Sequence, residues 1–176
     1  MKWRQTWPAC LGNSLLCLTP QGWLRQWDKN GRVSPKAWAE AAEILPLAAA
    51  VIISHEDLPD EATLDLYQQR CKLLVVTRGY DGCTVYYQDE IRHLPTRRAT
   101  EVDATGAGDT FATAYFVRLL QTGGNPWEAA RFANDIAALS VEYAGVAAKV
   151  TAVQKYLKRK GWMVNDEQRC YSSFSI

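Results

Sequence analysis

A chain of 176 residues is long enough to bury one sizeable hydrophobic core. Apolar residues make up 48% of it and charged residues 22%, a balance that is typical of a globular protein and excludes a disordered chain. The 20 basic and 19 acidic residues leave a formal net charge of +1, so we expect no nucleic-acid partner and no anionic-membrane partner.

Strand and helix patterns alternate through the first half of the chain. Ser34 followed by Pro35 is a typical helix start, with serine as the N-cap and proline at the first helical position. Pro59 and Asp60 begin a second helix. The predicted strands cover residues 13–19, 49–54 and 72–77, and the predicted helices cover residues 36–45 and 59–70.

The second half begins with a predicted hairpin and continues with three predicted helices. The hairpin strands cover residues 83–87 and 91–94, and a loop of small residues at 104–109 precedes the first helix. The second helix has a capping box, formed by Asn125 and Glu128 around Pro126. Thr151 is predicted to cap the last helix and Gly161 to end it.

Continuous apolar strands that alternate with helices predict parallel strands covered on both faces. The expected fold is therefore a three-layer α/β/α architecture with a mostly parallel central sheet. Neither an internal repeat nor a low-complexity linker interrupts the chain, so we predict one domain, residues 1–164, followed by a tail, residues 165–176.

The five cysteines are an odd number, and no two of them are spaced as C-x-x-C. This pattern argues against a disulfide framework and against a zinc site. Free cysteines are typical of a reducing compartment, so a cytoplasmic location is expected. The longest apolar run, residues 44–53, contains Pro46 and is too short to span a bilayer, so we expect no membrane partner.

The segment with the clearest chemistry is residues 101–111, Glu-Val-Asp-Ala-Thr-Gly-Ala-Gly-Asp-Thr-Phe. Gly106 and Gly108 remove the β-carbons that would keep a ligand from the backbone, and the loop leads into a helix N-terminus, which favours a phosphate. The Asp109 carboxylate in the same turn repels a phosphate, so its presence needs a reason. One such reason is removal of a proton from a hydroxyl that attacks the phosphoryl group. A bare G-x-G-D is also consistent with a tight turn before an acidic helix N-terminus.

The longer string from Asp103 to Phe111 resembles the signature of the ribokinase-like (PfkB) carbohydrate kinase family, whose core reads D-T-x-G-A-G-D-x-F. Ala104 replaces a threonine that is common in the family. The resemblance implies a ribokinase-like fold and ATP-dependent phosphorylation of a hydroxyl on a sugar or a sugar-like polyol.

The same resemblance implies roles for single residues. Asp109 matches the catalytic base, and the amides of Gly106, Ala107, Gly108 and Asp109 match the anion hole for the transferring phosphate. Asp103 and Thr105 match positions that help some members to hold a monovalent cation such as K⁺.

Two further segments resemble nucleotide-binding elements of the family. Thr77, Gly79 and Gly82 match a strand-end T-x-G-x-x-G that lies along the ATP phosphates and ribose, although a strand followed by a two-glycine turn has the same pattern. Asn134 matches an adenine-contacting asparagine on a helix. The alternative for Asn134 is a polar residue on an exposed helix face.

The family's N-x-x-E motif, which organises Mg²⁺ and its water shell, has only a partial match. Ser54 stands in place of the asparagine and Asp57 in place of the glutamate, with Glu56 as a substitute carboxylate. Mg²⁺ prefers oxygen ligands and retained waters, so these residues are the candidate magnesium ligands.

The resemblance covers roughly residues 15–153 and only the C-terminal part of the family's usual length. The N-terminal strands, the acceptor-binding glycine pair and the small strand lid are not found in the sequence. Three explanations stay open: a fragment, a short form completed by a partner chain or in a homodimer, and a nucleotide-binding remnant without turnover.

Overall fold

The computed structural model of the chain describes residues 15–162. The start of the first predicted strand, at residues 13 and 14, lies outside this range, and so does the predicted boundary between domain and tail at residue 164. A five-stranded sheet runs in the order β1-β4-β5-β6-β7, and a separate hairpin pairs β2 with β3. The strands are β1 (Cys17–Leu18), β2 (Arg25–Trp27), β3 (Val33–Pro35), β4 (Ala50–Ser54), β5 (Leu73–Thr77), β6 (Cys83–Tyr87) and β7 (Glu90–Leu94).

Strands β1, β4 and β5 are parallel, as their continuous apolar sequences predict. β6 pairs antiparallel with β5, and β7 pairs antiparallel with β6, which confirms the predicted hairpin. The helices are α1 (Gln21–Leu24), α2 (Ala41–Ile44), α3 (Glu61–Arg70), α4 (Ala107–Gln121), α5 (Pro126–Ser140) and α6 (Val146–Arg159).

Two apolar cores lie on opposite faces of the sheet, because successive strand residues point to opposite faces. Ile52 and Val75 pack on one face with Phe111 and Tyr115 of α4 and with the buried alanines of α5. The other face carries Leu74 and Val76, which pack with residues of α1, α2 and α3. The expected three-layer α/β/α architecture is therefore confirmed. None of the helices within residues 15–162 is long and apolar enough to cross a membrane.

Two predicted helix starts are confirmed by their caps. The Asp60 carboxylate accepts a hydrogen bond from the Thr63 amide at 2.7 Å, and α3 begins at the next residue after Asp60. The Asn125 side chain accepts from the Glu128 amide at 3.1 Å at the start of α5. The Glu128 carboxylate does not complete a capping box, because it forms an ion pair with Arg118 of α4.

Two other predicted helix starts are wrong. Ser34 and Pro35 are extended and pair with Gln26 and Arg25 in the β2–β3 hairpin. Of the helix predicted over residues 36–45, only α2 is α-helical. Thr151 lies inside α6 rather than at its start, and its hydroxyl donates to the carbonyl of the fourth residue before it.

Aromatic pairs occur in both helical layers. Trp38 is buried, and its ring stacks on Trp23 with a centroid distance of 4.9 Å and an interplanar angle of 14°. On the opposite side of the sheet, Phe132 of α5 lies 5.1 Å from Trp162, measured between ring centroids. Each layer thus contains its own aromatic contact.

Candidate functional site

The candidate site lies at one edge of the main sheet, where the ends of four strands form a row. Ser54 pairs with Thr77, Thr77 with Cys83, and Cys83 with Leu94. β4, β5 and β7 end in this row, whereas the antiparallel β6 begins there. The segments that follow β4, β5 and β7 therefore leave the sheet at the same edge, which is where open α/β sheets bind ligands.

The loop after β7 ends at the N-terminus of α4. Gly106 is the N-cap residue, and its φ of 75° lies in the left-handed region that favours glycine. The Ala107 amide donates to the Ala104 carbonyl at 3.1 Å. In the part of the chain that the structure describes, the amides of Gly106, Gly108 and Asp109 have no hydrogen-bond partner. Together with the positive end of the helix dipole, these three amides are available to an anion.

The Asp109 side chain projects from the first turn of α4. It is exposed, and no hydrogen bond or ion pair within residues 15–162 engages its carboxylate. Asp109, Gly106 and Thr105 line a groove of about 510 Å³ together with side chains of α4, α5 and α6, most of them apolar. An unpaired carboxylate beside anion-binding amides is the arrangement that a base needs to act on a hydroxyl next to a phosphate.

Behind the loop, the buried Lys149 side chain of α6 holds the backbone. Its Nζ atom donates to the carbonyl oxygens of Asp103 and Thr105, each at 2.7 Å. The same atom lies 3.2 Å from Oδ2 of Asp103. The ammonium thus has two hydrogen bonds to carbonyl oxygens and an ion pair with a carboxylate.

Asp103 joins the loop to the start of α6. Its Oδ1 accepts from the Thr105 amide at 2.9 Å, and its Oδ2 accepts from the Gly145 amide at 3.1 Å. These amides, then the Thr105 hydroxyl and the Lys149 ammonium, hold the pKa of the Asp103 carboxyl well below its usual range. The carboxylate therefore stays ionised and keeps both segments together.

The expected K⁺ site at Asp103 and Thr105 needs a correction, because Lys149 already engages these oxygens. A second monovalent cation about 4 Å from the ammonium would be repelled by about 4 kcal/mol at an effective dielectric constant of 20. With Lys149 in place, these oxygens are therefore not available to a dissociable cation.

The turn after β5 places the three candidate nucleotide residues together. Thr77 ends β5 beside Ser54, and its hydroxyl lies 3.4 Å from the Ile53 carbonyl oxygen. Gly79 and Gly82 have φ values of 57° and 90°. A β-carbon on Gly82 would lie 2.2 Å from the Leu94 carbonyl oxygen, whereas one on Gly79 would meet nothing within 4 Å. Gly82 is thus required by packing, and Gly79 leaves open space above the turn.

Asn134 lies in α5 and is buried rather than exposed. Its side-chain amide donates to the Leu94 carbonyl at 2.9 Å, and the Thr96 hydroxyl donates to the Asn134 carbonyl at 3.2 Å. Asn134 therefore ties the end of β7 to α5. A contact between Asn134 and adenine stays a prediction.

The candidate magnesium ligands need a second correction. Asp57 is buried, and its Oδ1 accepts a hydrogen bond from Nε of Arg25. Glu56 is exposed, and its amide donates to the Ser54 hydroxyl at 3.3 Å. Among residues 15–162, no group of three or more His, Cys, Asp or Glu side chains could hold a metal ion. Asp57 is thus engaged by Arg25 and not free as predicted, whereas Glu56 is the accessible carboxylate of the predicted pair.

Sequence reasoning missed two residues of this region, Lys149 and Arg25. Lys149 precedes Ala152 and Val153 by three and four positions, so it shares a helix face with residues that pack inward. That spacing is a signal the sequence does contain. Arg25 carries no comparable signal, because its pairing with Asp57 joins residues 32 positions apart.

The pfkB family carbohydrate kinase model matches residues 29–152. Inositol 3-kinase from Zea mays is 32% identical over 146 residues, which cover 80% of this chain and 38% of the maize protein. Fructokinase-1 from Oryza sativa subsp. japonica is 27% identical over 126 residues, which cover 68% of this chain and 39% of the rice protein. The chain thus spans about two fifths of the length of these curated relatives.

Solved structures agree with the fold. A putative ribokinase II from E. coli, solved in complex with ATP and Mg²⁺, is 26% identical, with a TM-score of 0.54 over 66% of this chain and 41% of that chain. A pyrophosphate-dependent kinase in the ribokinase family, complexed with a pyrophosphate analog and myo-inositol, has a TM-score of 0.69 at 16% identity. It covers 84% of this chain and 56% of that chain, and at this identity it shows the fold alone.

The family model covers well over half of the chain and includes the row of strand ends, the turn after β5 and the N-terminus of α4. This chain therefore belongs to the pfkB family of carbohydrate kinases.

Proposed function

We propose that this chain forms the phosphoryl-transfer part of a kinase that uses ATP to phosphorylate a hydroxyl of a sugar or a cyclitol. The observation that carries the proposal is the first turn of α4. There the Asp109 carboxylate is exposed and unpaired within the described residues, beside the amides of Gly106, Gly108 and Asp109. One turn of the helix thus offers both a base and an anion-binding position.

In the proposed reaction the amides of Gly106, Gly108 and Asp109 bind the oxygens of the transferring phosphoryl group. The Asp109 carboxylate takes the proton from the acceptor hydroxyl, and the oxygen of that hydroxyl forms a bond to the γ-phosphorus of ATP. The bond from that phosphorus to the bridging oxygen breaks, and ADP leaves. Positioning and charge stabilisation supply most of the catalysis in such a transfer.

ATP as donor is supported by the turn after β5 and by the E. coli relative, which holds ATP and Mg²⁺. Thr77 and Gly79 lie at the sheet edge from which the chain continues to α4, and open space surrounds Gly79. Mg²⁺ entering with the nucleotide would be held by phosphate oxygens and retained waters, and it would neutralise the charge of the phosphates. Asp57 is paired with Arg25 and is therefore not free to bind the ion.

A sugar or cyclitol acceptor is supported by the names of the relatives, an inositol 3-kinase and several fructokinases. A second candidate function is nucleotide binding without turnover. It is favoured by the described residues themselves, since the turn after β5 and the N-terminus of α4 are both assigned to the nucleotide in this proposal.

The test combines ATP calorimetry with a turnover assay over a panel of sugars and cyclitols. The variants are Asp109→Asn and the control Asp65→Asn, which changes an exposed carboxylate of α3. We expect Asp109→Asn to bind ATP with wild-type affinity and to lose roughly 10²-fold to 10⁴-fold in turnover, with Asp65→Asn unchanged. ATP binding without turnover in the wild type would favour the second candidate. A folded wild type that does not bind ATP would contradict both.

A further inference from the structure

Three oxygens of the loop before α4 converge on one buried positive charge. The Asp103 carbonyl, the Thr105 carbonyl and the Asp103 carboxylate lie 2.7, 2.7 and 3.2 Å from Nζ of Lys149. The Lys149 side chain is only 9% exposed. A buried ammonium is costly unless it is paired, and here it has two hydrogen bonds and an ion pair.

This donor set is of the kind that binds a small monovalent cation. Backbone carbonyls can replace the hydration shell of K⁺, and the lysine ammonium is itself a compact monovalent charge. Lys149 comes from α6, more than forty positions after the loop that it contacts. The cation is thus supplied by the fold and covalently attached to it.

The contact also sets the direction of an amide at the candidate site. A trans peptide is planar, so the N–H of Gly106 points away from the Thr105 carbonyl. Lys149 holds that carbonyl, and therefore it also fixes the orientation of the Gly106 amide. The Gly106 amide is one of the three that have no partner within residues 15–162.

We propose that Lys149 is a tethered cation, a positioning residue that organises the loop before α4 in place of a dissociable K⁺ or Na⁺. This chain then needs no monovalent cation to hold the loop in its anion-binding form. The inference rests on the proposed function for the phosphate-binding role of the loop, but its first test requires no nucleotide.

The experiment measures the thermal unfolding of wild type, Lys149→Ser and Lys158→Ser in KCl, NaCl and tetramethylammonium chloride at equal ionic strength. Lys158→Ser is the matched control, because Lys158 is exposed on the same helix. We expect the Tm of wild type and Lys158→Ser to be equal in the three salts. Lys149→Ser should lose about 5 °C or more in tetramethylammonium chloride and regain part of that loss in KCl or NaCl.

The recovery by a small cation separates a cation site from a merely structural lysine. A Tm of Lys149→Ser equal to that of Lys158→Ser would overturn the proposal, as would a loss that neither K⁺ nor Na⁺ reduces. If Lys149→Ser does not fold, the wild-type series decides, since a Tm rise specific to K⁺ or Na⁺ contradicts a tethered cation. ATP calorimetry in the same salts then tests the proposed function separately, because absent ATP binding leaves the Tm results intact.

Discussion

The carboxylate of Asp57 accepts a hydrogen bond from Nε of Arg25, and the two side chains are 4% and 30% exposed, respectively. Removing the arginine would leave a buried carboxylate without its partner. We therefore expect Arg25→Met to lower the free energy of unfolding by about 2 kcal/mol, a value reduced for the partial exposure of the arginine. Urea denaturation of wild type and Arg25→Met measures this difference in the free energy of unfolding.

Replacing both partners tests the cause of that loss. The double variant Arg25→Met, Asp57→Leu removes the buried charge and should regain most of the stability. Glu90→Gln is the control, because Glu90 and Arg92 form an exposed pair whose loss should cost less than about 0.5 kcal/mol. A double variant as unstable as Arg25→Met would contradict the explanation.

The two glycines of the turn after β5 should respond differently to alanine. Both have positive φ, so each alanine costs about 1 kcal/mol or more in backbone strain. Only at Gly82 would the β-carbon also collide with the Leu94 carbonyl oxygen. We expect Gly82→Ala to lower the Tm clearly more than Gly79→Ala does, and equal shifts would show that the Leu94 backbone yields. ATP calorimetry on the folded Gly79→Ala variant then tests the proposed role of this turn.

The buried amide of Asn134 should be sensitive to small changes. Asn134→Ala leaves the Leu94 carbonyl without its side-chain donor and should cost about 1–3 kcal/mol in urea denaturation. Asn134→Asp should cost more, because a carboxylate would face a carbonyl oxygen. Arg131→Ala, on the exposed face of the same helix, is the control. If Asn134→Ala keeps full stability, the tie between β7 and α5 is unimportant.

Stability should depend on pH through Asp103. Its pKa is lowered in the folded chain by the Gly145 and Thr105 amides, so its ionised form stabilises the fold at any pH above the unfolded value of about 3.9. That contribution is lost as the pH falls below about 4 toward the folded pKa.

The Tm gap between wild type and Asp103→Asn should therefore be widest near neutral pH and should close below about pH 4. Asp65→Asn is the control and should follow the wild type throughout, because no hydrogen bond or ion pair in the described range engages Asp65. A gap that is constant with pH would mean that the charge of Asp103 is not the cause.

The strands and the helix caps were predictable because their signals are local. Apolar runs bounded by turn residues predict β4 and β5, and Asp60 caps α3 through a contact with a residue only three positions away. The helix start predicted at Ser34 and Pro35 is wrong because these two residues also fit a strand. Whether they form a helix or a strand depends on pairing with β2, which the local sequence does not show. The start of α6 was missed because its first contact, from the Gly145 amide to Asp103, joins distant positions.

The candidate site shows the same difference between local signals and contacts that join distant positions. The loop motif predicts that Gly106 and Asp109 lie at the start of a helix. In the structure Gly106 is the N-cap residue and Asp109 lies in the first turn. The occupants of the expected cation sites could not be read from the motifs. Arg25 and Lys149 reach Asp57 and the loop only through the tertiary fold, and each supplies a charge that satisfies a carboxylate.

The stacked rings of Trp23 and Trp38 should give an optical signal that reports on one helical layer of the fold. Two indoles 4.9 Å apart at an angle of 14° couple their transitions, which should give a circular dichroism band that disappears when this layer separates. The contact between Phe132 and Trp162 belongs to the opposite layer and contributes a different aromatic environment. Removing the stack with Trp23→Leu would assign the band. Comparing its melting curve with the far-ultraviolet signal would then show whether the two helical layers detach from the sheet as one cooperative unit or one after the other.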